Sequence, residues 1–221
     1  MNLALVGYGK MGRLIDQLAP EYGFTVTARV ENSDAIGSIR DASVAIDFSV
    51  AGAVVGNAER LAEAGVNIVE GTTGWLEHLP EVKASLEKHG TAMVWSPNYS
   101  VGVNVFFRLA AQAAALLRDA PEYEAWVWEI HHSAKKDAPS GTLLKLVAEM
   151  KGAGITRVNV ASNRAGAIPG THEIGFDSAA DTITLRHAAR NREGFARGAL
   201  KAAQWVVGKT GFHEFDEVLF S

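Results

Sequence analysis

The segment Glu129-Ile130-His131-His132-Ser133-Ala134-Lys135-Lys136-Asp137-Ala138-Pro139-Ser140-Gly141-Thr142 gathers the densest set of proton-carrying and anion-binding groups in the chain. Histidine exchanges protons near neutrality, so His131 and His132 are candidates for acid–base work. Neighbouring residues at a strand end point to opposite faces, so the two rings should have different roles. Lys135, four residues beyond His131, can reach the same pocket. Pro139-Ser140-Gly141-Thr142 reads as a loop entering a helix, with Ser140 as the cap and backbone amides free to hold a carboxylate. A cationic cluster beside a helix start suits a dianion. Two other readings stay open on residue type: a polar surface loop, and a zinc site. The zinc site is poor, because the paired histidines lack nearby acids at ligand spacing.

A second pattern, Gly7-Tyr8-Gly9-Lys10-Met11-Gly12, follows the first apolar run and opens a helix. It matches G-x-G-x-x-G. Gly7 permits the tight turn, Gly9 lets the backbone approach a pyrophosphate, and Gly12 allows close helix–strand packing. The helix start then faces the anion. A glycine turn without a ligand is the plainer alternative. The next strand ends Ala28-Arg29-Val30-Glu31, where an acid would bind the ribose hydroxyls of NAD. Arg29 and Lys10 put two cations near the adenosine ribose, which favours the 2′-phosphate of NADPH and leaves NADH open. The plainer reading of Arg29 is a residue facing solvent.

The first half of the chain alternates apolar runs at 3–6, 24–30, 44–48, 66–69 and 91–95 with helical patterns at 11–22, 51–64 and 79–88. That alternation implies βαβ units and a parallel sheet covered on both faces. Beyond residue 102 the pattern changes to a long apolar helix at 104–118. Strands follow at 122–131, 157–161, 171–176 and 182–187 with few helices between them, which reads as a mixed or antiparallel sheet. The amphipathic stretch 194–207 should return to cover the first sheet. The expected fold is therefore α/β. A Rossmann-type doubly wound domain (1–101 and 194–221) joins a smaller α+β domain (102–193), with the chemistry in a cleft between them. Asp47, Phe48 and Ser49, ending the third strand, would border the cofactor. Trp75 and Trp95 are read as core.

Composition agrees with a folded, soluble chain of 221 residues, 48% hydrophobic and 21% charged. The net charge of −4 gives no basic surface for nucleic acid. The absence of cysteine excludes disulfides, thiolate metal sites and cysteine nucleophiles. No apolar run reaches membrane-spanning length and no signal pattern opens the chain, so the expectation is a cytoplasmic protein with no membrane partner.

The segment 129–142 resembles the signature E-x-H-H-x-x-K-x-D-x-P-S-G-T of the 4-hydroxy-tetrahydrodipicolinate (dihydrodipicolinate) reductases. Similar segments lie in the same order elsewhere: the glycine turn, Gly71-Thr72-Thr73-Gly74, Ser96-Pro97-Asn98-Tyr99-Ser100-Val101-Gly102, and the stretch from Arg164 through Pro169-Gly170 to His172-Glu173. The resemblance implies an NAD(P)H-dependent reduction of a small cyclic dicarboxylate, with loss of water, in lysine and diaminopimelate synthesis. It implies His131 as acid/base and Lys135 as proton donor. It gives His132 and the Gly141-Thr142 pair to the substrate carboxylates, for which the residue types of the whole Ser140-Gly141-Thr142 turn are suited. Gly71, Thr72 and Thr73, with Ser96, Pro97, Asn98 and Tyr99, would line the nicotinamide side. The second domain would bind substrate and build a homotetramer, which offers a use for Trp126 and Trp128. His172 is open between a structural hydrogen bond and a ligand contact. The chain departs from the family in being short, in a first turn one residue tighter with Lys10 in place of an arginine, and in Arg29. The rivals are a related two-domain dehydrogenase of the aspartate or homoserine type, and a cofactor-binding protein without turnover.

Overall fold

The computed structural model describes residues 1–31, 39 and 41–221. The chain divides into two compact units, Met1–Val101 with Glu193–Ser221, and Gly102–Arg192.

The first unit is a six-stranded, all-parallel sheet. Its strands are β1 (Asn2–Val6), β2 (Thr25–Val30), β3 (Val44–Asp47), β4 (Asn67–Glu70), β5 (Ala92–Trp95) and β10 (Gly211–Glu214), in the order β10-β5-β4-β3-β1-β2. The central strands are continuous apolar runs because both faces are covered. Leu3, Leu5, Val44 and Ile46 pack on one side against α1 (Lys10–Leu18) and α6 (Glu193–Val206). Ala4, Val6, Ala45 and Ile68 pack on the other against α2 (Val54–Glu63) and α3 (Leu79–His89).

The sequence reading missed the end of this unit. After α6 the chain adds β10 at the sheet edge, beside β5, and closes with α7 (Phe215–Phe220). Three helical stretches also begin or end in 3-10 turns, at Ala19–Tyr22, Ala51–Ala53 and Leu76–His78.

The second unit is a four-stranded mixed sheet of β6 (Glu124–His131), β7 (Val158–Arg164), β8 (Thr171–Asp177) and β9 (Thr182–Ala188), in the order β7-β6-β8-β9. β6 runs parallel to β7 and antiparallel to β8. Alternation along β6 sends Ala125 and Val127 into a core with α4 (Val101–Leu117) and α5 (Gly141–Gly152), together with Phe106, Leu146 and Phe176. The intervening Trp126, Trp128 and Ile130 are half-buried and take no part in that core. Trp126 lies flat on β8, where a side-chain carbon at Gly175 would come 2.2 Å from its ring. No helix among the described residues is long and apolar enough to cross a membrane.

Candidate functional site

In the first unit, the nominated residues gather at the carboxyl ends of the parallel strands, where α/β sheets hold ligands. The backbone dictates the glycine turn. Gly7 has φ +81°, and a Cβ there would meet the Phe48 carbonyl oxygen at 2.4 Å; at Gly12 it would meet the Gly7 carbonyl oxygen at 2.6 Å. At Gly9 the same carbon would meet nothing within 4 Å, so the main chain stands open there. Gly9 is also the N-cap of α1, and no side chain caps it, which leaves the helix's first amides for an anion. A cavity of about 500 Å³ opens beside this turn, lined by Tyr8, Glu31, Phe48 and Ser49 among others. Lys10 is exposed, Met11 half-buried and Gly12 buried.

The guanidinium of Arg29 is already committed. It donates to both carboxylate oxygens of Asp16, at 2.6 and 2.8 Å, and Tyr8 donates its hydroxyl to the same carboxylate. Hydrogen bonding from Arg29 holds Asp16 below the usual carboxylate range. Among the described residues, the acid lining the cavity is Glu31, just past the end of β2.

The two loops nominated for the nicotinamide are tied to one residue, Glu70. Its side chain accepts the Thr72 amide at 2.6 Å, and its carbonyl accepts the Tyr99 hydroxyl at 2.9 Å and the Ser96 amide at 3.3 Å. Trp75 and Trp95 both donate to the Thr72 carbonyl and the two rings meet edge to face; Trp75 is core, and the half-buried Trp95 packs against it. The Gly71 backbone rests on the Phe48 ring. Thr73 and Pro97 are exposed, and Asn98 is half-buried. The side chain of Tyr99 is fully buried and packs on Phe215, in the core rather than at an open face.

In the second unit the centre is Glu129, which sequence reasoning treated only as part of a motif. Its carboxylate has no solvent exposure. One oxygen accepts from the Ser140 amide at 2.8 Å, the Ser162 hydroxyl at 2.7 Å and the Arg164 guanidinium at 3.1 Å. The other accepts from the Ser140 hydroxyl and lies 3.2 Å from Nε2 of His172. Burial alone would raise this carboxyl, but the donors of Ser140, Ser162 and Arg164 hold it down at about 2. Strand pairing brings these groups together, since Glu129 sits opposite Ser162 on β7 and His172 on β8.

His131 follows on the same face of β6. It is buried, with Nδ1 3.5 Å from Glu129 and its ring edge-on to His172, centroids 5.0 Å apart. Burial lowers its pKa, against the pull of Glu129. Burial likewise takes His172 down to about 4. His132, past the strand end, is half-buried.

The ammonium of Lys135 pairs with Asp137 at 2.8 Å and is a quarter exposed. Ser140 caps α5 by accepting the Leu143 amide at 3.2 Å, while Gly141, exposed, and Thr142, half-buried, stand at the open helix start. The expectation that no acid stands near the histidines is corrected by the fold. Glu129, His131 and His172 have donor atoms within 4.8 Å of one another. The Arg164 guanidinium already supplies the positive charge that a cation would bring there. Ser162, Arg164 and the central role of Glu129 carried no local signal, because their contacts run between strands.

A parallel dinucleotide-type sheet with a glycine turn, followed by a mixed sheet bearing a carboxylate–histidine–lysine cluster, defines a nicotinamide-dependent oxidoreductase. Residues 1–99 match the sequence family described as dihydrodipicolinate reductase, N-terminus, and residues 102–219 the one described as dihydrodipicolinate reductase, C-terminus. The chain belongs to the dihydrodipicolinate reductase family. It is 33% identical to a 4-hydroxy-tetrahydrodipicolinate reductase of Christiangramia forsetii, over 99% of this chain and 98% of that one. A protein of the same name from Methanosarcina barkeri is 39% identical, over 86% of this chain and 78% of the relative. Among solved structures, the dipicolinate-bound dihydrodipicolinate reductase of Paenisporosarcina sp. TG-14 shares the fold, with TM-score 0.80 at 20% identity over 98% of both chains. An aspartate dehydrogenase of Thermotoga maritima has TM-score 0.52 at 12% identity, over 95% of this chain and 97% of the other.

Proposed function

We propose that the chain reduces (2S,4S)-4-hydroxy-2,3,4,5-tetrahydrodipicolinate to tetrahydrodipicolinate, a step of lysine and diaminopimelate synthesis. The balance is one substrate, one NAD(P)H and one proton in, and one product, one NAD(P)⁺ and one water out. The observation that carries this reading is the 129–142 segment. It sets a buried histidine, a lysine and an uncapped pair of helix-start amides around one loop, in a chain of this family.

The glycine turn fits a dinucleotide, because Gly7 and Gly12 are crowded by backbone while Gly9 stands open beside the cavity. When bound, a reduced nicotinamide supplies the hydride. The chain's own residues do the rest. His132 and the Ser140-Gly141-Thr142 helix start hold substrate carboxylates. Lys135 delivers a proton as charge builds on the ring, and His131 acts as acid/base. A substrate carboxylate competes with Asp137 for the Lys135 ammonium and so draws it to the reacting ring. Gly71, Thr72 and Thr73 with Ser96, Pro97, Asn98 and the Tyr99 backbone frame the nicotinamide side. Lys135→Ala is expected to lose about 10²–10⁴-fold in turnover while still binding cofactor, measured by stopped-flow absorbance and by cofactor fluorescence titration. Near wild-type turnover would remove Lys135 from the mechanism.

On cofactor choice, the expectation of NADPH rested on two cations, Arg29 and Lys10, of which Lys10 stays exposed. With Arg29 held by Asp16 and Glu31 lining the cavity, we read the ribose end as suited to the diol of NADH, with NADPH second. The reading places the enzyme in the cytoplasm, as a homotetramer joined through the outer face of β6 at Trp126 and Trp128. Light scattering tests the assembly. The decisive experiment is reduction of freshly generated substrate with each cofactor, alongside aspartate- and homoserine-type substrates. No turnover of the cyclic dicarboxylate with either cofactor would sink the proposal.

A further inference from the structure

Glu129, with no solvent exposure, contacts Ser140, Ser162, Arg164 and His172 and lies 3.5 Å from His131. We propose that Glu129 is the positioning residue of this site: its buried carboxylate holds His131 as the Nδ1–H tautomer and anchors Ser140, so that one group sets both the proton-carrying ring and the carboxylate-binding helix start. The inference rests on the site reading above.

The argument is geometric. An ionised carboxylate only accepts hydrogen bonds. His172 Nε2, 3.2 Å from it, must therefore carry hydrogen. The nearest ring atom of His131 is Nδ1, 3.5 Å away and without a hydrogen-bond partner. A hydrogen on that atom is attracted to the carboxylate, whereas a lone pair there is repelled. The Nδ1–H form leaves the Nε2 lone pair as the basic end, beside Gly170, where a Cβ would lie 2.9 Å from Nε2. A buried carboxylate behind an imidazole sets its tautomer and orientation in the same way elsewhere in enzymology. The same carboxylate takes the amide and hydroxyl of Ser140, the N-cap of α5. The groups that face Glu129 are His131 on β6, Arg164 on β7 and His172 on β8. Lys135 and Asp137 from the loop act on His131, and His187 on β9 acts on His172.

Long-range ¹H–¹⁵N spectra of the ¹⁵N-labelled full chain read the tautomers directly. The expected result is Nδ1–H for His131 and Nε2–H for His172, and Nε2–H for His131 in the wild type overturns the proposal without any variant. Glu129→Gln keeps an acceptor toward Ser162 and Arg164 but turns an amide donor toward the histidines. It should switch both tautomers, lower kcat roughly 10- to 100-fold, change the substrate KM less than about threefold, and move the acid limb of the pH profile down. Unchanged tautomers, or kcat within about threefold of wild type, overturn it. Absence of dicarboxylate turnover in the wild type would instead strike the proposed function, while the tautomer measurement still decides the role of Glu129.

Discussion

Glu70 in the first unit and Glu129 in the second are both buried carboxyls at the working edge of a sheet, yet their surroundings drive them in opposite directions. Glu70 receives the Thr72 amide and sits opposite another buried acid, Asp47, in the pairing of β3 with β4. Burial, and then the Asp47 charge, push its pKa well above the ordinary value. Burial also raises Asp47, despite hydrogen bonds from Ser49 and Asn57. Glu129 is equally hidden, but two serines and an arginine aim at it and it stays ionised. Burial therefore does not decide protonation by itself; the number and charge of the donors do. In the proposed roles the first unit would offer its ligand backbone, and a carboxyl whose pKa is raised would suit such an uncharged platform. The second unit would offer charged side chains, and the buried Glu129 among them is held by Arg164.

The harshest test of this contrast removes the cation. Arg164→Ala leaves the Glu129 charge buried with only neutral and histidine partners, and should cost about 3 kcal/mol or more of stability in urea unfolding. Hydrogen exchange should show the loss in β6 and β7, not in β1. A loss below about 1 kcal/mol would mean that the serines alone carry the charge.

Lowering the pH should separate the units next. His172 has a folded value of about 4 against an ordinary 6.5, so its neutral form contributes stability that is complete above pH 6.5 and lost as pH falls towards 4. Glu129, held at about 2, contributes stability that is complete above its ordinary 4.5 and lost as pH falls below it. Each titrating group gives a slope of at most about 1.4 kcal/mol per pH unit. His172→Gln should flatten the upper part of that fall in hydrogen exchange of β8, and an unaltered slope would clear His172 of the effect.

The smallest expected effect lies at Glu70. Its folded value is raised, so its neutral form contributes stability that is full below the ordinary 4.5 and declines as pH rises. Glu70→Gln removes that decline, and should be close to neutral at pH 5 and stabilising at pH 8 in thermal unfolding. Destabilisation at both values would show that Glu70 is ionised, and the contrast with Glu129 would fall.

Much of the first site was legible because it is local. The glycine turn, the strand before it and the helix after it lie in one short run of sequence, and each glycine answers a steric demand of its neighbours. Ser140 was readable as a cap for the same reason. The strand β10 and helix α7 escaped because Gly211-Phe212-His213-Glu214 has little apolar pattern, and the capping box there uses Glu214 with Glu217 in place of a serine or threonine cap. Arg29 looked like a free cation because its partner, Asp16, is on α1 and meets it only once β2 has packed beside the turn.

The amino-acid order by itself determined the parallel sheet, the anion-ready turn and the loop that carries His131, Lys135 and Ser140, since apolar period, glycine geometry and capping act over a few neighbouring residues. Only the tertiary structure decided which charges are spent and which are available. Glu129 meets Ser162 across 33 residues of chain, and Arg29 meets Asp16 across 13. Such pairings follow from strand register and packing, which no local window of sequence contains.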